Sequence, residues 1–329
     1  MPVPRDLGLP PFRPRFPWLG RHLQTARNFL VPEPPTLTGE RLELPTQDGS
    51  GDRLTAIASR LPAGTAAKPT VVLVHGLSGS HDSRYMLSAA HFLLRRGHPV
   101  VRLNLRGAGP SRQHCRFTYH AGSSADLRDA LLALPADLSQ SGVVIVGFSL
   151  GGNVALKFTA EFATTLPVPV PAVASVSAPI DLAATSRNML RRRNIVYNQR
   201  LLRDFRAEYL GHGSMISAHE RQLILRARNF LDLDHDVVAP RNGFADAWDY
   251  YARAMALPHL GAIRTPTLLI QAQDDPIVPA RPYLDYPWHD NDWLFALLPP
   301  GGGHVGFHGP GAEPWHLMAI GSFLGRLGL

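Results

Sequence analysis

A serine with glycine two residues away on either side, Gly147-Phe148-Ser149-Leu150-Gly151, stands between an apolar run and a helix-forming run. That arrangement suits an exposed nucleophile. A serine on a tight strand-to-helix turn takes a strained backbone with positive φ. The turn presses the residues two before and two after against each other, so neither can carry much side chain. Gly147 and Gly151 meet that need. The Ser149 hydroxyl is then pushed outward beside the positive N-terminus of the next helix. The backbone N–H of Leu150, directly after the serine, is placed to hold a developing oxyanion. So short a motif can arise by chance, so the rest of the chain must supply an acid, a base and a second N–H donor.

The chain has fifteen histidines, so their number carries no information, but position does. Gly301-Gly302-Gly303-His304-Val305-Gly306-Phe307 lies between the last strand-like and the last helix-like runs. A glycine-rich loop can turn sharply and present an imidazole, and His304 is the candidate base. His308 and His316 lie further on and are expected at the surface. No HExxH pattern or carboxylate cluster accompanies them, so no metal site is expected. For the acid, the apolar run at 267–272 ends in Gln273-Asp274-Asp275-Pro276, at the strand edge where α/β sheets build their sites. Neighbours on an extended segment point opposite ways, so only one of Asp274 and Asp275 can orient a histidine. Asp181 is a more distant candidate.

These groups suit acyl transfer. Ser149 attacks a carbonyl, His304 takes its proton and passes it to the leaving group, and the aspartate holds the imidazole. A serine at the elbow argues against dehalogenase or epoxide-hydrolase chemistry, which needs a carboxylate nucleophile.

The elements that must position them read as alternating strands and helices. Thr36–Leu44 and Arg53–Leu61 form a hairpin across the turn 47–52. Strands are predicted at Thr70–Val74, Pro99–Leu105, Val143–Val146, Ala172–Val176, Pro266–Ile270 and Trp293–Leu298. Helices are predicted at Ser83–Arg96, Ser124–Leu134, after Ser149 and at Pro314–Leu324. Continuous apolar strands alternating with amphipathic helices indicate a mostly parallel sheet covered on both faces. The core domain is expected at 36–181 and 261–329. Residues 182–260 break the alternation with helical periodicity, many charges and several aromatics, and read as a helical cap or lid. Residues 1–35 are a Pro-rich lead-in expected to lie over the core surface.

Composition narrows the class. The chain has 329 residues, 45% of them hydrophobic and 18% charged, which is ordinary globular composition. No apolar run reaches the ~18 residues that span a bilayer. The N-terminus lacks the apolar stretch of a secretory signal, and Cys115 is the only cysteine. A reducing, cytoplasmic setting is therefore expected. The net charge is +7, carried almost wholly by arginine. No nucleic-acid-binding motif accompanies the arginines, so nucleic acid is not expected as a partner. Weak peripheral contact with acidic lipid head groups is the expected use of the charge.

The ordered motifs resemble the α/β-hydrolase superfamily and, within it, the YheT-like (AB hydrolase 4) family of esterases. The matching pieces are Pro11-Phe12, His22-Leu23-Gln24-Thr25, His75-Gly76-Leu77-Ser78-Gly79-Ser80, Gly147–Asn153, Ser177-Ala178-Pro179, Gly243-Phe244-Ala245-Asp246 with Tyr250-Tyr251, Asp274-Asp275-Pro276 and Gly303-His304-Val305-Gly306-Phe307. The resemblance implies an α/β-hydrolase fold with triad order serine, acid, histidine. It favours Asp275 over Asp274, because the family's acid is followed four residues later by proline, here Pro279. It implies that Leu77 N–H is the second oxyanion donor after a His-Gly dipeptide, with His75 structural. It gives the loop Asn104–Ser111 a structural role. It implies hydrolysis of carboxylic esters of short- to medium-chain acyl groups without a cofactor. The alternatives are acyl transfer to an alcohol, or lipase or phospholipase action on the same triad. A non-catalytic binding role is less favoured, since no triad member is missing. Eukaryotic relatives often carry a membrane anchor, which is not carried over.

Overall fold

The structure, a computed structural model, describes residues 6–30, 34–62, 64, 68–211 and 215–329. Eight strands form one sheet: β1 Glu40–Pro45, β2 Arg53–Ser59, β3 Thr70–Val74, β4 Val100–Asn104, β5 Val143–Phe148, β6 Val173–Val176, β7 Thr267–Ile270 and β8 Leu294–Leu297. Their spatial order is β1-β2-β4-β3-β5-β6-β7-β8. The pairs β1–β2 and β2–β4 are antiparallel and the rest are parallel. The first strand starts later than read, at Glu40, since Thr36 to Gly39 do not pair.

Burial on both faces explains the apolar runs. Val72, Val74, Leu103 and Ile145 face one core cluster, and Val71, Leu73, Val144 and Val146 face another. The helices Ser124–Leu132 and Leu150–Glu161 cover the first face. The helices Arg84–Leu94 and Trp315–Arg326 cover the second. A one-residue slip would move each strand's side chains to the other face, and both faces are filled, so register is strongly set.

Between β6 and β7 the described residues of the insertion are helical and contain no strand. Its Leu202, Phe205, Tyr209, Ile224, Leu233, Tyr250 and Tyr251 belong to the same core cluster as Val74 and Ile145. The insertion therefore hides its apolar faces against the sheet layer rather than in a core of its own. Asn153, four residues after Ser149, pins its far end: Nδ2 donates to Ala121 O and Ala254 O, and Oδ1 accepts from Ala256 N–H, each at 2.9 Å.

The lead-in is more ordered than its proline content suggested. Gly20–Leu30 is a helix, beginning just past Pro17. Leu7 and Phe12 are buried in the second cluster, with Phe12 edge-on to Phe307 and Trp315. Residues 1–5 and 31–33 of the lead-in fall outside the described residues. Among the described residues, no helix is long and apolar enough to cross a membrane.

Candidate active site

Ser149 sits at φ 51°, ψ −123° between β5 and the helix Leu150–Glu161. The crowding at Gly147 is that inferred from spacing, and Gly151 is crowded by the end of β3. A Cβ on Gly147 would lie 2.3 Å from Gly151 O, and one on Gly151 would lie 2.4 Å from Val74 O and His75 O. Ser149 N–H donates to Val176 O at 2.8 Å, which anchors the strained residue to β6. Such a backbone costs of order 1–3 kcal/mol and persists only where its surroundings hold it.

His304 Nε2 lies 2.9 Å from Ser149 Oγ, and His304 Nδ1 lies 2.8 Å from Asp275 Oδ2. With the proton on Nδ1, Nε2 is free to accept the serine proton. Asp275 has no exposed side-chain surface. Its Oδ1 accepts the N–H groups of Ile277 and Val278 at 2.8 and 3.0 Å, which fixes the carboxylate. Asp274 faces the other way and its Oδ1 accepts Gly303 N–H at 2.9 Å. Burial raises its pKa. Asp181 caps the helix Leu182–Met189 by accepting Ala184 N–H at 2.8 Å, and is not drawn to His304.

Gly76 packs directly on the nucleophile: a Cβ there would meet Ser149 Cβ at 3.0 Å. Among the described residues, neither Leu77 N–H nor Leu150 N–H has a hydrogen-bond acceptor. The loop that carries Leu77 is tied down on both sides. Gly76 N–H donates to Tyr85 Oη at 2.9 Å, and Ser78 N–H donates to Tyr119 Oη at 2.7 Å. Ser78 itself has φ 53°. Tyr119 O–H in turn donates to Glu208 Oε2 at 3.0 Å, so the insertion reaches the loop through one tyrosine. Burial pushes Glu208 up to about 7. His75 is buried, with Nδ1 2.7 Å from Gly76 O and Nε2 accepting Leu105 N–H at 3.1 Å. Nearby, buried Arg106 joins buried Asp52 and Asp126 and exposed Asp48 in a network that ties the first hairpin to the core.

The histidine loop is strained and clamped. Val305 and Phe307 have φ of 53° and 55°, unfavourable for side-chain-bearing residues. Val305 N–H donates to Ser177 Oγ at 3.1 Å, and Ser177 is itself at φ 53°. The other clamp is the lead-in helix. Thr25 Oγ1 accepts His304 N–H at 2.9 Å, and Asn28 Nδ2 donates to Val305 O at 2.9 Å. Gln24 accepts His308 N–H at 2.7 Å and donates to His308 O at 3.0 Å.

His308 and His316 correct the expectation that they lie at the surface; both are buried. His308 Nε2 meets Asn28 Oδ1 at 2.9 Å, and burial beside Arg27 pushes the imidazole down to about 3. His316 lies edge-on to Phe148 and Phe307, and burial likewise pushes it to about 3. The loop folds under the lead-in helix, which no local pattern around 304–316 announces. Sequence reasoning likewise assigned no role to Gln24, Thr25, Asn28, Ser177, Tyr119 or Glu208. The signals were the His22-Leu23-Gln24-Thr25 and Ser177-Ala178-Pro179 strings, motifs to which no function was attached. Among the described residues no group of three or more His, Cys, Asp or Glu is gathered to hold a metal ion.

The α/β hydrolase fold family model matches residues 69–309. YheT of Escherichia coli (strain K12), which carries the name of an esterase, is 34% identical over 278 residues, covering 82% of this chain and 78% of its own length. The chain belongs to the α/β-hydrolase fold family, in its YheT-like branch. A phospholipase of Homo sapiens is 23% identical over 295 residues, covering 88% of this chain and 71% of its own. An esterase of Pyrococcus furiosus, Pf2001, superposes with a TM-score of 0.62 at 18% identity, covering 91% of this chain and 98% of its own, a likeness of fold. This α/β hydrolase is thus of the esterase and lipase type, acting on carboxylic esters.

Proposed function

We propose that the protein is a serine carboxylesterase for short- to medium-chain acyl esters, with Ser149, His304 and Asp275 as its triad. The single observation that carries this reading is the line Asp275 Oδ2, His304 Nδ1, His304 Nε2, Ser149 Oγ, with contacts of 2.8 and 2.9 Å. Ser149 Oγ attacks the ester carbonyl as His304 Nε2 takes its proton. The carbonyl oxygen becomes an oxyanion, received by Leu77 N–H and Leu150 N–H. His304 then gives the proton to the departing alcohol, leaving an acyl-enzyme. Water, deprotonated by the same imidazole, releases the acid. Asp275 holds the tautomer and stabilises the imidazolium. The acyl chain is expected to lie against the insertion, residues 182–260, acting as a helical cap, where Leu77, Leu150, Leu182 and Phe205 join one apolar cluster.

An alcohol in place of water would turn the same acyl-enzyme to ester synthesis, and the split between acid and ethyl ester in added ethanol reads that partition. A longer lipid ester, as the name of the human phospholipase suggests, would use the same three residues. The deciding assay is a nitrophenyl-ester panel of graded chain length with wild type and Ser149→Ala. The expected loss is on the order of 10⁴–10⁶ in turnover. Activity that survives the alanine change would overturn the mechanism. A folded preparation that no fluorophosphonate labels would point instead to a binding protein.

A further inference from the structure

The exposed large apolar side chains are not scattered evenly. Phe16 is 82% exposed, and Leu19 and Leu23 are exposed beside it on the turn and first helical turn of the lead-in. Ile195 and Val196, 59% and 74% exposed, open the helix Ile195–Leu210 of the insertion. These two segments touch: His22 Nδ1 lies 2.9 Å from Tyr197 Oη, and the two rings stack. Arginines stand between and around them. Arg21 shares one surface hollow with Arg191 and Arg193, and a second hollow with Leu19 and Leu23; Asp274 borders both. Arg191, Arg192 and Arg193 are exposed and form no ion pair with a carboxylate among the described residues, while Arg21 faces the Asp274 carboxyl.

We propose that this face docks on an anionic lipid surface. Contiguous exposed apolar side chains rimmed by polar ones mark an interaction site. Here the apolar groups come from two segments joined at His22 and Tyr197, with Arg21, Arg191 and Arg193 bordering the adjoining hollows. A lipid interface offers acyl chains and phosphates at the same depth, which suits that mixture. Phe16, Leu23 and Val196 enter the head-group boundary, while the arginines lay their stems along it and reach the phosphates. The inward side of the same helix carries Gln24 and Thr25, which hold the His304 loop. The docked protein thus sets its histidine loop beside the layer in which an apolar ester dissolves. That last consequence rests on the esterase reading; the binding itself does not.

The test is co-sedimentation with vesicles of phosphatidylcholine alone and of an equal mixture with phosphatidylglycerol, in low and high salt. Wild type and Ser149→Ala should both bind the mixed vesicles, more tightly than the neutral ones, and added salt should weaken the binding. The combined change Arg191→Ala, Arg192→Ala, Arg193→Ala should weaken it on the order of 100-fold, while the three Arg→Lys changes should keep it, since a lysine near the surface serves as well as an arginine. Phe16→Ser with Val196→Ser should weaken it at least tenfold with unchanged thermal unfolding, because both side chains are already in water. Absence of binding to mixed vesicles overturns the proposal. So does binding indifferent to Phe16 and Val196, or equal affinity for an acidic polypeptide, which would mark plain charge attraction. Because Ser149→Ala is measured for binding as well as for turnover, a failure of the esterase reading is seen separately.

Discussion

Thr25 Oγ1 accepts the backbone N–H of His304 at 2.9 Å, across 279 residues of sequence. The contact joins the lead-in helix to the loop that presents the imidazole. The same hydroxyl donates to Arg21 O at 2.8 Å, so its acceptor lone pairs are turned to the loop.

Removing that acceptor should misplace the base without touching substrate. In Thr25→Val, of similar shape, the part-buried His304 N–H loses its partner, at a cost of about 1–3 kcal/mol. The expected result is a fall of roughly tenfold in kcat with KM nearly unchanged, since only a group acting in the transition state is displaced. Thr25→Ser should restore most of the rate. Nitrophenyl-ester kinetics on the three proteins, with thermal unfolding as control, decide it. A Thr25→Val enzyme at wild-type kcat would remove the clamp from the mechanism.

The adjacent aspartates should separate cleanly. Asp275→Asn keeps the side-chain shape but offers the wrong partner to His304 Nδ1, and turnover should drop on the order of 10⁴-fold, as in other triads. Asp274→Asn keeps an oxygen for Gly303 N–H, and turnover should stay within about threefold. Equal losses in the two variants would mean that Asp275 has no special role.

Stability should fall in mild acid. Burial pushes the folded-state pKa of His75 and His120 down to about 4 and of His308 and His316 to about 3, below the ordinary 6.5. Below pH 6.5 the unfolded chain takes up protons at these sites that the folded protein refuses, so their contribution is lost as pH falls. Glu208 and Asp234, both raised by burial to about 7, act oppositely: the folded protein keeps protons there that the unfolded chain releases above its ordinary carboxylate pKa. Six histidines, His22 and His98 being lowered too, stand against four carboxyls, Asp126 and Asp274 being raised too, and leave a net loss as pH drops from 6.5 towards 4.5. The urea midpoint at pH 7, 6 and 5 reads this. Glu208→Gln, which removes one opposing group, should steepen the fall, and an unchanged or shallower slope would contradict the assignment.

The sequence by itself determined the local geometry. Gly147 is dictated by the elbow itself, because a Cβ there would meet Gly151 O within five residues, whereas Gly151 is also crowded by Val74 and His75 at the end of the neighbouring strand. The apolar alternation of strands and helices dictated the covered parallel sheet, since each inner strand buries both faces. The same local reasoning marked Ser149, His304 and the Asp274–Asp275 pair as groups at strand ends. It stopped where contacts became long-range. Which aspartate faces His304 depends on how Asp275 Oδ1 is held by Ile277 and Val278 and on how the 301–307 loop returns to it. The burial of His308 and the clamp by Gln24, Thr25 and Asn28 arise between segments about 280 residues apart, and His316 is buried against Phe148 on another element. Such contacts leave no periodic trace, because each residue satisfies a polar group on another element rather than repeating along its own. Only the packing of the lead-in helix onto the histidine loop, and of the insertion onto Tyr119, decided them.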